Sequence, residues 1–330
     1  MAIVGVGCTG FKSITPDVSF KELMFEAATK AYEDAGVDPR RDIDGFVCCS
    51  EDYWEGYSIF DEYVPDQIGA ALKHLCTVSA DGIYGLITAY MQIRAGAFDM
   101  AAVEAHSKAS DILTFAGIVA FALDPVFNRP LGGHPHYIAG LEMKRYLYET
   151  QATKEQCAHV VVKNKKNALD NPLAAYGTNI TVEDVLESEP LFYPLSRLDV
   201  SPLADGCVVM VLASDSMARK LTDTPIWIKG VGWSSDTPWL ETRNWGRSVH
   251  VELAVEMAYK MAGIRNPGKD IDIFEIDDQF SYKELQHLEA LKVCRRGEAG
   301  KLTEEGVTQR DGDLPVNPSG GLLGVGYTLE

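Results

Sequence analysis

The chain has 330 residues, enough for two domains or one duplicated fold, and its apolar content of 46% can fill a sizeable core. A net charge of −18 argues against nucleic acid or an anionic membrane surface as partner, and no apolar run reaches the ~18 residues of a membrane span. Seven cysteines without framework spacing fit a reducing compartment, so a cytoplasmic protein is expected.

Ile3 to Gly7 reads as a buried strand, with no basic flank of the kind a signal peptide carries. An amphipathic helix follows from Phe20, with Gly36 in the usual stop position, and then a strand from Ile43 to Cys49. Cys48 and Cys49 are adjacent, so they point to opposite faces of that strand, which disfavours a metal pair. No metal site is expected in the chain. A helix near Ile83 to Gly96 and a strand from Met100 to Glu104 come next, and His106 is expected to be buried with a partner. The stretch from Asp111 to Thr222 is too long for a plain connection. It opens as a loop through His134 and His136, carries helices from Tyr137 to Thr150 and from Lys154 to Leu169, and reads as a lid-like insertion. Within it, Lys163-Asn164-Lys165-Lys166 is the best basic patch, either a ligand contact or a solvated helix face. The strand Cys207–Leu212 closes the first half.

The same order then recurs: a strand from Ile226 to Gly232, a helix from Val249 to Gly263, and a strand from Ile271 to Ile276. Gly5-Val6-Gly7 answers Gly230-Val231-Gly232, and Ala31-Tyr32 answers Ala258-Tyr259. This is an internal duplication of a strand–helix–strand unit. The second copy stops at Glu330 where its matching helix and strands should start, so a truncated C-terminal end is expected.

Chemistry concentrates at the C-terminal end. Pro315-Val316-Asn317-Pro318-Ser319-Gly320-Gly321 reads as a rigid loop with bare backbone, able to bring N–H groups against a ligand carbonyl. Gly326-Tyr327 follows it. The run resembles the Asn-Xaa-Ser-Gly-Gly…Gly-His-Pro loop of the thiolase superfamily. Val162-Lys163-Asn164…Asn167-Ala168 and Pro194-Leu195-Ser196-Arg197-Leu198-Asp199…Asp205-Gly206 resemble two further motifs of that superfamily. Within it, the motifs most resemble the sterol-carrier-type and archaeal thiolase-like proteins.

That resemblance implies a duplicated α/β fold with two mixed sheets: residues 1–110 and 195–222 form the N-terminal half, 111–194 a loop/lid domain and 223–330 an incomplete C-terminal half. It also implies three changed catalytic positions. Ser79 stands where the family has its nucleophilic cysteine, with Cys76 three residues early; Ser79 or Asp81 could otherwise cap the following helix. Asp277 stands at one histidine position, beside Asp278, and two adjacent carboxyls can raise one pKa toward neutrality. Tyr327 stands at the other, and a phenol can donate a proton but cannot activate a thiol as histidine does. Tyrosine here, with the cysteine lost, resembles the steroid side-chain aldolases of the superfamily. Tyr84, Tyr137 and His134 are further candidates, with core or structural roles as the competing reading. Ser319, Gly320, Gly321 and Lys163 are the candidate contacts to the coenzyme A thioester that the resemblance implies as substrate.

Non-thiolytic, aldolase-like carbon–carbon chemistry on acyl-CoA leads, with ordinary acetyl-CoA acyltransfer and a non-catalytic subunit as alternatives. A homodimer and a zinc-ribbon/OB-fold acyl-CoA-binding partner subunit are implied by the same resemblance.

Overall fold

Residues 1–51, 60–112 and 114–329 are described in the computed structural model. They divide into two compact units, one of Met1–Ile112, Leu203–Val231 and Thr328–Glu330, the other of Leu113–Pro202 and Gly232–Tyr327. The shortfall expected after Glu330 falls outside the described residues.

The first unit is built on β1 (Ala2–Cys8), α1 (Phe20–Ala35), β2 (Gly45–Cys49), β3 (His74–Val78), α2 (Gly82–Arg94) and β4 (Met100–Lys108), completed later by β7 (Asp205–Ala213) and β8 (Ile226–Trp227). Its mixed sheet has the order β3-β2-β4-β7-β1-β8, parallel where β2 meets β3 and β4 and antiparallel elsewhere. Strand period two sorts the side chains. Phe46, Cys48, Met100, Ala102, Cys207, Val209 and Val211 pack with α1, whereas Val47, Cys49, Ala101, Val103 and Leu212 pack with α2. Cys48 and Cys49 therefore do face opposite ways. α1 begins with a capping box at Ser19 and Glu22 and ends at Gly36 with φ 67°, the expected stop.

In chain order the second unit contains α3 (Pro135–Thr150), α4 (Lys154–Asn167), the short antiparallel pair β5 (Pro190–Phe192) and β6 (Leu195–Ser196), then α5 (Val249–Ala262), α6 (Ser281–Ala290) and α7 (Gly321–Val325). Its core joins Met143 and Tyr146 of α3 with Cys157, Val160 and Val161 of α4 and Leu285 and Leu288 of α6. α4 is thus a core helix of this unit. The strands of the second copy are shorter than the duplication suggested. The strand expected from Ile226 to Gly232 shrinks to Ile226–Trp227, and that from Ile271 to Ile276 to one bridge between Phe274 and Val316. A strand needs a laddered neighbour, and among the described residues the latter segment has only the C-terminal loop beside it.

The duplication itself is visible in backbone packing. A Cβ on Gly7 would lie 2.0 Å from the Ala27 carbonyl oxygen and 2.5 Å from the Ala31 nitrogen. One on Gly232 would lie 1.9 Å from the Ala254 oxygen and 3.0 Å from the Ala258 nitrogen. The same close approach of extended chain to helix occurs in each unit, at the glycines and alanines that the repeat aligns.

Candidate functional site

Three segments of the second unit converge on one carboxyl group. The apolar stripe of α4 continues at helical spacing into Lys163, Asn164 and Asn167, which carries these polar side chains into the core. α6 adds Glu284, one turn from Ser281 and Leu288 on its buried face. The segment before α6 adds Asp278, and the loop after Pro315 closes over all of them.

Asn164 donates through Nδ2 to Asp278 Oδ2 and to Glu284 Oε2, each at 2.7 Å. Lys163 Nζ lies 3.1 Å from Glu284 Oε1 and donates to Asn164 Oδ1 and the Val316 carbonyl, both at 2.6 Å. The basic patch is therefore not a solvated face. Lys163, Asn164 and Lys165 are buried, because the core stripe runs through them, and the Lys163 ammonium is held by Glu284. Removing one partner of such a buried pair costs about 3–5 kcal/mol, since it strands the other charge.

Asp278 is fully buried and sits at the start of α7, where its Oδ1 accepts the Leu322 N–H at 2.5 Å and its Oδ2 the Leu323 N–H at 3.3 Å. Gly321 makes this approach feasible: its φ is 55°, and a Cβ there would lie 2.4 Å from Asp278 Oδ2. Burial, then the charges of Glu284 and Asp277, push the Asp278 carboxyl up to about 8, against the lowering effect of the Leu322 N–H and the Asn164 amide. The far part of α7 is held by Lys165, whose Nζ donates to the Leu323 carbonyl at 3.0 Å. Burial lowers that lysine's pKa, and the Asp278 charge opposes the effect.

Two expectations for the loop change accordingly. The paired glycines open a short helix at Gly321, with Gly320 at φ 114° as its N-cap. The Leu322 and Leu323 N–H groups beside Gly321 go to Asp278 and are not bare. The rest of the loop is fixed by Asn317, whose φ is 50°. Its Nδ2 donates to Glu284 at 2.8 Å, its Oδ1 accepts the Ile276 N–H at 2.8 Å, and its backbone oxygen accepts Asn167 Nδ2 at 3.0 Å. Ser319 donates from both its N–H and its hydroxyl to Glu275.

The structure brings Asp278, Gly320, Gly321, Ser319 and Lys163 into one network. Asp277 stands at its edge with a half-exposed side chain, and its backbone oxygen lies 3.1 Å from His287 Nδ1. Burial is the main reason His287 is lowered to about 4, so this imidazole is neutral at ordinary pH. Tyr327 is half-buried, just beyond α7, and its N–H donates to the Pro202 carbonyl at 2.7 Å. His134 is the N-cap of α3: Nδ1 accepts the His136 N–H at 3.1 Å, and the ring stacks on Phe192. Tyr137 is exposed against Phe192.

Ser79 and Cys76 belong to the first unit. Ser79 is exposed three residues before the first residue of α2, whose N-cap position is Asp81, so the serine does not cap the helix. Cys76 lies on β3, and burial raises its thiol pKa although Gln92 donates to it. Cys8, Cys48, Cys157, Cys207 and Cys294 are raised by burial as well, Cys157 and Cys294 to about 12. Sequence reading missed Glu284 and His287 as parts of the site, and named Asn317 only as a residue of the loop. The available signal was a carboxylate on the core face of α6.

This mixed α/β architecture with a duplicated strand–helix unit matches the thiolase-like fold. Residues 234–330 match the family described as thiolase C-terminal domain-like. The chain is 34% identical to acetyl-CoA acetyltransferase of Methanothermobacter thermautotrophicus, over 100% of this chain and 86% of that protein. It belongs to the thiolase superfamily. It is also 29% identical to the steroid side-chain-cleaving aldolase of Thermomonospora curvata, over 99% of this chain and 86% of that one. Among solved structures, the Ltp2-ChsH2(DUF35) aldolase is similar with a TM-score of 0.84 and 27% identity, over 99% of this chain and 85% of that one. No helix among the described residues is long and apolar enough to cross a membrane.

Proposed function

We propose that the chain acts on an acyl-CoA thioester and makes or breaks a carbon–carbon bond by proton transfer, without an acyl-cysteine intermediate. The observation that carries this reading is the state of the thiols. Cys48, Cys49, Cys157 and Cys207 are buried to within 1%, Cys76 lies on β3, and burial raises Cys8, Cys76 and Cys294 as well, whereas a nucleophilic cysteine is accessible with its pKa lowered. The likeness to two aldolases along nearly the whole chain supports it.

In the cleavage direction a base takes the proton of the β-hydroxyl, the bond between the α and β carbons breaks, and a ketone or aldehyde leaves. The electron pair passes to the α carbon as a thioester enolate, which is then protonated. Tyr327 and Asp277 are the proton carriers in this reading, because both side chains are at least partly exposed whereas Asp278 is not. Asp278, Gly320 and Gly321 position the loop, and Ser319 lines it.

The test is a panel of β-hydroxyacyl-CoA thioesters with detection of the carbonyl product. Tyr327→Phe is expected to lose roughly 100-fold or more in rate. Full activity in that variant refutes the assignment.

A second reading, acetyl-CoA acyltransfer, is favoured by the 34% identity to an acetyl-CoA acetyltransferase. It requires an acyl adduct visible by intact mass, lost in Ser79→Ala or Cys76→Ala. A homodimer and a zinc-ribbon/OB-fold partner subunit belong to the first reading, and the two-part name of the aldolase structure supports the partner.

A further inference from the structure

The first unit holds a second cluster that the carbon–carbon chemistry does not use. Cys48 on β2 pairs in register with Glu104 on β4, and His106 follows Glu104 on the same face. All three are buried to within 1%. Cys48 Sγ lies 2.9 Å from Glu104 Oε2, and His106 Nδ1 lies 3.0 Å from Glu104 Oε1, so the two carboxylate oxygens point one to each neighbour. One donor atom from each of the three residues fits within a span of 4.8 Å. In a tetrahedral zinc site, bond lengths of about 2.0–2.3 Å put donor atoms of different residues about 3.3–3.8 Å apart, so a span of at most 4.8 Å closes onto an ion by side-chain shifts of about 1 Å. The His106 ring stacks on Phe20 at 5.5 Å and meets Phe60 at 5.7 Å, which closes the site from the α1 side.

As a purely protein network this arrangement relies on the His106 ring beside Glu104 for its strong hydrogen bond. A carboxylate buried this deeply needs strong donors or a paired cation. Two of the groups facing Glu104 are thiols, Cys48 and, at 3.4 Å, Cys207, and thiols are weak donors. Nor can those cysteines form a disulfide. β4 lies between their strands, which sets them about 9–10 Å apart, beyond disulfide reach.

We propose that Cys48, Glu104 and His106 form a structural site for zinc or a similar soft divalent cation. The Cys48 thiolate, a bidentate Glu104 carboxylate and the neutral His106 Nδ1 supply four donor atoms. Binding releases the Cys48 thiol proton to solvent, and one thiolate plus one carboxylate balance the dication, so the buried centre is neutral. Cys207 remains a thiol that donates to Glu104 and orients it. The ion would tie β2 to β4. With no open face, the site is structural rather than catalytic.

The full chain, produced without a metal-binding tag in zinc-supplemented medium and purified without chelator, is expected to carry equimolar zinc. Cobalt(II) added to the chelator-stripped chain should give a thiolate-to-cobalt charge-transfer band, and zinc should raise its Tm. Cys48→Ser should lose the band and the Tm gain, whereas Cys207→Ser should keep both. Wild-type chain with little zinc and no cobalt band overturns the inference, and so does a band that survives in Cys48→Ser. The wild-type measurements decide the question even if a variant fails to fold.

Discussion

Asp278 and Glu284 share the Nδ2 group of Asn164, yet it is Glu284 that the Lys163 ammonium contacts, at 3.1 Å. Lys163 balances Glu284, and Asp278 is left to burial and to the neighbouring charges, which push it up to about 8. The sign of the consequence follows. An unfolded chain loses the aspartate proton near about pH 4, whereas the folded chain keeps it to about 8. Across that interval the native state binds the extra proton, so this residue makes stability fall as pH rises, by at most about 1.4 kcal/mol per pH unit, and contributes no slope above it. Urea unfolding of wild type and Asp278→Asn at about pH 5 and about pH 8 isolates the effect, with conditions chosen inside the titration window. Wild type should lose markedly more stability than the variant between those conditions. Parallel losses would mean that Asp278 is ionised throughout, with the α7 N–H groups outweighing burial.

At the level of elements, glycine spacing was a better guide than strand propensity. Gly7 and Gly232 are legible in the sequence because close contact of extended chain with helix leaves no room for a side chain, so the repeat preserves the gap. Ile271 to Ile276 has strand composition too, but composition cannot supply a neighbouring strand, and only Phe274 finds a bridge. The polar half of α4 misled for a related reason. Lysines at helical spacing normally mark a solvated face, and only the continuation of the Cys157, Val160 and Val161 stripe into Asn164 betrayed the core position. The glycine reading has a direct test. Gly232→Ala puts a methyl 1.9 Å from the Ala254 oxygen and must displace α5, as Gly7→Ala must displace α1. Each is expected to cost about 1–3 kcal/mol by overpacking. Substitution of Gly36, which meets nothing within 4 Å, adds no overpacking and costs only its left-handed strain. Thermal denaturation of the three variants ranks them, and a Gly232→Ala variant milder than Gly36→Ala would remove the packing argument for the repeat.

For the molecule as a whole, the family was legible and the chemistry was not. The loop from Pro315 to Gly321 is specified by backbone demands that leave a mark in sequence, whereas its partners Glu284, Asn164 and Asn317 meet only when distant segments fold together. Net charge acts at this scale too. With −18 charges on the chain, an anionic acyl-CoA approaches against a repulsive field unless local cations outweigh it. The basic patch that sequence reading offered for that task is largely spent inside the core, with Lys163 on Glu284 and Lys165 on the Leu323 carbonyl. Salt screens long-range repulsion over a Debye length that shrinks from about 30 Å at 0.01 M to about 8 Å at 0.15 M. Association of an acyl-CoA should therefore speed up, by about two-fold or more, as ionic strength rises across that range. Stopped-flow binding of a fluorescent acyl-CoA analogue measures this rate directly. A rate that falls with salt would reveal a net attractive local field, and the search for the nucleotide-binding cations would move to exposed residues outside α4.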